Sequence, residues 1–152
     1  MAIEEVTSAQ LEALKTMQKR VRNPKARERS EEKHRRTDYN VLGEDGYTEF
    51  KIYKRQNIDI PPDFSCGIRW LMPSGETLTL ARYNGPSHIH GDIKYTPHIH
   101  VATEDAIQKG RKPESHAAAT NRYDTVEGAL HCLMEDFNVT GLSTTPDEPR
   151  LF

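Results

Sequence analysis

The sequence predicts an α+β domain: an antiparallel four- to five-stranded sheet with an N-terminal helix and a C-terminal helix packed on one face. Three observations predict it. Residues 7–22 and 125–137 each carry an apolar stripe at helical spacing. Residues 48–103 between them alternate apolar and polar side chains in short runs. The turns separating those runs are short, which favours an antiparallel meander over parallel crossovers.

The first helix has a marked start. Thr7 and Gln10 have capping-box spacing, and Val6 with Leu11 has staple spacing. Leu11, Leu14, Met17 and Val21 form its stripe, and Asn23-Pro24 ends it. Residues 25–38 lack apolar periodicity and read as a second, wholly polar helix or as a mobile basic arm. A turn at 43–46 precedes the alternating run 48–56. Residues 64–72 are the clearest strand, with Phe64, Cys66, Ile68, Trp70 and Met72 on one face and Ser65, Gly67 and Arg69 on the other. Pro73-Ser74-Gly75 turns the chain into its partner, 76–84, and 98–103 follows as a further strand. Thr103 is an expected N-cap for a short helix closed by Gly110; Glu104 and Asp105 suit its first turn. Residues 111–121 read as a loop or frayed helix. Val126, Leu130, Leu133, Met134 and Phe137 make the core stripe of the last helix. One domain spans 1–142, and 143–152 read as a tail.

A chain of 152 residues suits one domain with a real core. Its hydrophobic share of 35% is low, so a compact core with well-solvated segments is expected. No apolar run approaches membrane-spanning length, and MAIEEVTSAQ does not read as a signal peptide. Cys66 and Cys132 are too few for a disulfide framework, so buried thiols and a cytoplasmic location are expected. The net charge of -2 conceals an asymmetry: residues 15–36 carry ten Lys/Arg against three Glu. Such a block favours polyanions, RNA first among them. Lys15, Lys19, Arg20, Arg22, Arg35 and Arg36 are its candidate phosphate contacts. A solvated helix face, or docking onto an acidic protein, would use the same charges.

Residues 81–104 hold four of the seven histidines, as two His-Ile-His triplets, His88/His90 and His98/His100. In an extended chain each pair shares one face, with Ile99 and Val101 turned to the core. Two imidazoles on one face can act as acid and base near neutral pH. That suits metal-free cleavage of RNA, with Arg82, Lys94 or Arg69 meeting the charge that grows on phosphorus. Tyr83 and Tyr95 would stack on bases. His98, His100, His88, His90 and Arg82 are therefore the candidate catalytic residues, with no cofactor; Tyr83 and Lys94 join the nucleic-acid contacts.

Two other readings use the same residues. His88, His90, His98, His100 and Glu104 would bind zinc or another transition metal. His98-Ile-His100 with Glu104 has the spacing of the first cupin motif, but the flanking glycines are displaced and the second motif is absent. Ala102 breaks the histidine-triad pattern. Alternatively, the chain is a partner- or nucleic-acid-binding module with no chemistry. Cys66 and Cys132 suit core packing better than nucleophilic roles, and Trp70 suits the core better than a stacking platform.

The segment ARYNGPSHIHGDIKYTPHIHVATEDA, followed by DTVEGALHCLMEDF, resembles small bacterial proteins of the TumE type, toxin components of type II toxin–antitoxin modules. The shared pattern is an Arg-containing strand ending in Tyr or Trp, a short turn, a Pro-His or Ser-His step, a Pro-His-x-His strand and a C-terminal helix. Here these pieces are Arg82, Tyr83, Ser87-His88, Pro97-His98-Ile99-His100 and 125–137. The likeness extends over 47–137 in architecture and 81–104 in motif. It implies a RelE-like fold, endoribonuclease activity and an antitoxin protein as partner. The chain departs from the pattern in carrying His90 and a longer loop at 105–123.

Overall fold

The computed structural model describes residues 1–87 and 95–147. The chain is α+β, as predicted, but nine strands occur among the described residues rather than four or five. In chain order they are β1 (Lys19–Val21), β2 (Arg29–Glu31), β3 (His34–Gly43), β4 (Glu49–Asn57), β5 (Phe64–Leu71), β6 (Thr77–Asn84), β7 (His98–Val101), β8 (His116–Ala119) and β9 (Val139–Thr140). The helices are α1 (Ser8–Thr16), α2 (Glu104–Gln108) and α3 (Val126–Asp136). The sheet runs β8-β7-β6-β5-β4-β3-β1-β9, with β2 added beside β3. Among the described residues, only the β1–β9 pairing is parallel.

Burial explains the central strands. Phe50 and Ile52 of β4, Phe64, Cys66 and Ile68 of β5, and Tyr83 of β6 face one way and are buried. The α3 stripe of Val126, Leu130, Leu133 and Met134, with Phe137 just beyond, packs on them. Each large side chain so buried contributes about 1.5–3 kcal/mol. Thr125 caps α3 by accepting from Gly128 N, and Thr103 caps α2 by accepting from Ala106 N. A bulge beside Ile68/Arg69 absorbs one residue of β6, so Leu78 and Ala81 both stay on the α3 side. Arg69, Thr79 and Arg82 thereby stay together on the opposite face.

Three segments differ from expectation. The first helix stops at Thr16 instead of Arg22. Residues 19–21 cross instead to β3, pairing Val21 with Val41. Lys19 folds back to cap the end of α1: its Nζ donates to Lys15 O at 3.1 Å and to Met17 O at 2.7 Å. Residues 29–31 and 34–43 are a β-hairpin, not a polar helix or a free arm. Glu32 takes the left-handed turn position at its tip, with φ 52°. Thr37, Tyr39 and Val41 are the buried positions of β3; their period-2 pattern follows a charged stretch that hides it. Finally, residues 116–119, expected as loop or frayed helix, form β8 on the edge beside β7. Among the described residues, no helix is long and apolar enough to cross a membrane.

Candidate functional site

Because α3 covers one face of the central strands, their polar positions gather on the other. Registers align them in two cross-strand rows. One row reads Arg36, Arg55, Ser65, Asn84, His98 from β3 to β7. Its neighbour reads Asp38, Tyr53, Gly67, Arg82, His100. Arg69 of β5 and Thr79 of β6 begin a third. The loop before β8 brings Lys112 and Glu114 over this surface, leaving a cleft of about 270 Å³. That is at the small end for a ligand site, and most of its floor is polar.

The cleft is strongly cationic. Four arginines and Lys112 line it against one carboxylate, Glu114. Arg36 stands directly opposite Arg55, a like-charge pair that disfavours the bare sheet. Among the described residues, the Nε atoms of Arg55, Arg69 and Arg82 are buried with no hydrogen-bond partner. Each such orphan donor costs about 1–3 kcal/mol until something accepts from it. Arg82 Nε lies 3.4 Å from Glu114 Oε2, an ion pair rather than a made hydrogen bond. Arg36 and Arg69 flank the Tyr53 ring, 4.8 and 5.1 Å from its centroid. Gly67 permits this stack, because a Cβ there would lie 2.4 Å from the ring.

The histidines stand at the β7 end of both rows. They share the polar face, as their alternation predicts, yet they are buried: His98 is 1% and His100 3% exposed. Their rings lie 5.1 Å apart. His98 Nδ1 is 3.2 Å from Thr96 O, and His100 Nδ1 is 3.0 Å from Glu114 O. A carbonyl only accepts, so each Nδ1 carries a proton. In the neutral ring the lone pair is then on Nε2, the same tautomer for both. Glu114 thus holds His100 through its carbonyl and Arg82 through its carboxylate.

Of the predicted site residues, Arg36, Arg69 and Arg82 line the cleft; His98 and His100 share its sheet face on β7, with His100 beside Arg82 in register, but neither histidine is among the lining residues. His88, His90 and Lys94 lie outside the described residues. Other candidates go elsewhere. Lys19 is buried, with Nζ 5.1 Å from the Phe50 ring centroid and 2.7 Å from Phe137 O, so it is a core residue and not a phosphate contact. Tyr83 is also buried, on the α3 face, where its hydroxyl donates to Asp136; it cannot stack on a base. Burial pushes the Tyr83 phenol well up. Burial would also raise Asp136, but hydrogen bonds from Arg122, both at 2.8 Å, and from Tyr83 outweigh it and hold the carboxyl below the usual range. Lys15 sits over the Phe137 ring, and Arg35 belongs to the α3 side of β3. Arg20 and Arg22 are exposed near β1, five strands from the histidines along the sheet. Glu104 accepts from Ser8 N at 3.1 Å and ties α2 to the start of α1. Among the described residues, no three His, Cys, Asp or Glu side chains converge as a metal site.

Sequence reasoning missed Tyr53, Arg55, Ser65, Asn84, Lys112 and Glu114. The first three alternate on the polar side of legible strands and were within reach of register reasoning. Nothing local marks Glu114, which arrives from a loop. The thiols behave as expected of core residues: Cys66 Sγ lies 3.7 Å from Val126 O, and burial pushes both thiol pKa values up. Neither thiol should therefore react with iodoacetamide in the folded protein, whereas both should in urea. Rapid native labelling read by mass spectrometry would contradict this.

The cleft, the fixed tautomers and the arginine rows stand as geometry of this chain alone: compared with known proteins, it matches no family model, no curated protein and no solved structure.

Proposed function

We propose that this protein binds RNA on the polar sheet face and cleaves it as a metal-independent, histidine-dependent endoribonuclease. The observation that carries the reading is a cleft holding three buried guanidinium Nε atoms that make no hydrogen bond among the described residues, on a sheet face whose β7 strand carries two histidines of one tautomer. Orphan cationic donors in a cleft call for an anion with several acceptor oxygens, and a phosphodiester supplies them. The flanking histidines add what phosphate binding alone does not need, a base and an acid.

The reaction follows from those groups. Nε2 of one neutral histidine takes the proton of a ribose 2′-hydroxyl. The 2′-oxygen attacks phosphorus, forming the cyclic 2′,3′-phosphate as the bond to the 5′-oxygen breaks. The other histidine, protonated, gives its proton to that leaving oxygen. Arg82 and Arg69 meet the negative charge that builds on the non-bridging oxygens. DNA has no 2′-hydroxyl and would bind without reacting. The likeness over 81–104 supports placing the protein among toxin components, with an antitoxin protein as the partner that restrains it in the cytoplasm.

The test is cleavage of a short single-stranded RNA by the purified chain in EDTA. The expected products carry cyclic phosphate ends, and a 2′-deoxy substitution at the cleaved position blocks the reaction. Cleavage that EDTA abolishes and zinc restores would sink the metal-free reading in favour of a metal enzyme. Binding of RNA without any cleavage would reduce the protein to a binding module.

A further inference from the structure

Asn84 ends β6 on the polar face, between Ser65 of β5 and His98 of β7 in one cross-strand row. It is 4% exposed and lines the cleft. Its Oδ1 accepts from Ser65 Oγ at 2.7 Å. A serine hydroxyl has one proton, and here that proton is committed to Asn84. The 3.2 Å contact between Tyr53 and Ser65 must then run the other way, with the phenol donating to Ser65 Oγ. The relay from Tyr53 through Ser65 to Asn84 therefore has a fixed polarity. It turns Oδ1 towards β5 and directs the two Nδ2 protons away from it. The backbone is fixed as well: the Tyr123 hydroxyl lies 2.9 Å from Asn84 O and 3.2 Å from His98 O, tying the two register partners. Among the described residues, Nδ2 makes no hydrogen bond.

We infer that Asn84 Nδ2 donates a hydrogen bond to a non-bridging oxygen of a phosphodiester held in the cleft, with Ser65 and Tyr53 as positioning residues. The inference rests on the RNA-cleaving reading and names a further group of that same site. A neutral amide complements the arginines. They attract the phosphate at any orientation, whereas a donor of fixed polarity beside His98 selects the orientation in which an oxygen faces Nδ2. As charge moves onto that oxygen, a pre-aimed donor gains strength without reorganising. The relay supplies the aim, since an unrestrained amide would present its oxygen to the phosphate as readily as its nitrogen.

The experiment is a titration of the full ¹⁵N-labelled chain with an RNA oligonucleotide carrying a single 2′-deoxy residue at the reacting position, which binds without being cut. The expected result is a shift of the Asn84 side-chain amide pair, assigned by its loss in Asn84→Asp. That variant keeps an acceptor for Ser65, removes the donor and adds a carboxylate charge; it should lower kcat on the cleavable RNA by at least about 10²–10³-fold. Ser65→Ala leaves the donor but frees its orientation, so it should lower kcat by a smaller factor with KM little changed. If Asn84→Asp does not fold, the amide shift in wild type, assigned through Ser65→Ala, still decides. Oligonucleotide binding with an unmoved Asn84 amide, or cleavage by a folded Asn84→Asp at the wild-type rate, would overturn the role of Asn84 and leave the cleft intact. An oligonucleotide that does not bind wild type at all would overturn the RNA reading itself, and this inference with it.

Discussion

His100→Ala is expected to slow RNA cleavage by about 10³-fold, mainly in kcat, with oligonucleotide affinity changed only a few-fold. Positioned general acid–base groups contribute about 10²–10⁴-fold. His100 is held more closely than His98. Its Nδ1 proton is held by Glu114 O at 3.0 Å, and it stands beside Arg82 in the sheet register. His98→Ala should act similarly, and the double variant should lose little beyond the worse single, because base and acid serve one step. Arg82→Ala should differ in kind. It removes a charge from the cleft and leaves Glu114, which is 3% exposed, without its ion-pair partner. Affinity should fall with the rate, and the salt dependence of binding should flatten by the equivalent of about one phosphate contact. Rates within threefold of wild type for folded His98→Ala and His100→Ala would remove the histidines from the chemistry. The measurement is single-turnover cleavage beside binding of a non-cleavable RNA at several salt concentrations.

Lys19→Met is expected to destabilise the fold by about 2 kcal/mol while leaving the salt dependence of RNA binding unchanged. In wild type the ammonium serves three carbonyls, those of Lys15, Met17 and Phe137, which close α1 and α3. Methionine leaves these acceptors without their donor, at about 1–3 kcal/mol for each that water cannot reach. Relief of the buried charge offsets part of that loss. Burial lowers the Lys19 pKa to about 8, against a weaker opposing pull from Glu44. The unfolded chain therefore holds this proton to higher pH than the folded one. Stability from this site should rise with pH between about 8 and the ordinary lysine value near 10.5, since the unfolded state binds more protons in that window. Urea unfolding of wild type and Lys19→Met at pH 7.5 and 9.5 isolates the effect as the difference between the two proteins. A variant as stable as wild type at both pH values would return Lys19 to the surface charges. Arg20→Gln, whose side chain is exposed on the next residue, serves as the comparison with little expected change in stability.

Lys19 illustrates the limit of reading charge along a chain. Composition places it in a block of ten basic residues, and nothing in its neighbours distinguishes it from Arg20. The distinction comes from Phe50, Phe137 and three carbonyls, two of which are near in sequence and one far away. The same limit hid the β2–β3 hairpin. Its core contacts are Tyr39 and Val41, and the charged residues before them mask a period-2 pattern that only pairing with β4 makes stable.

Local spacing was enough for the α+β class, the caps at Thr7 and Thr103, and the α3 stripe. It also determined the facing of β5 and the shared face of His98 and His100. Each of these depends on residues within one or two turns or on strict alternation, so local spacing is sufficient. Tertiary structure alone decided the strand count, the burial of Lys19 and Tyr83, and the diversion of Glu104 to Ser8. It also decided the convergence of Arg36, Arg55, Arg69 and Arg82 with Glu114. Those facts depend on which strand lies beside which and on a bulge that shifts β6 by one residue. Register is set by many weak contacts at once, and no single segment carries it.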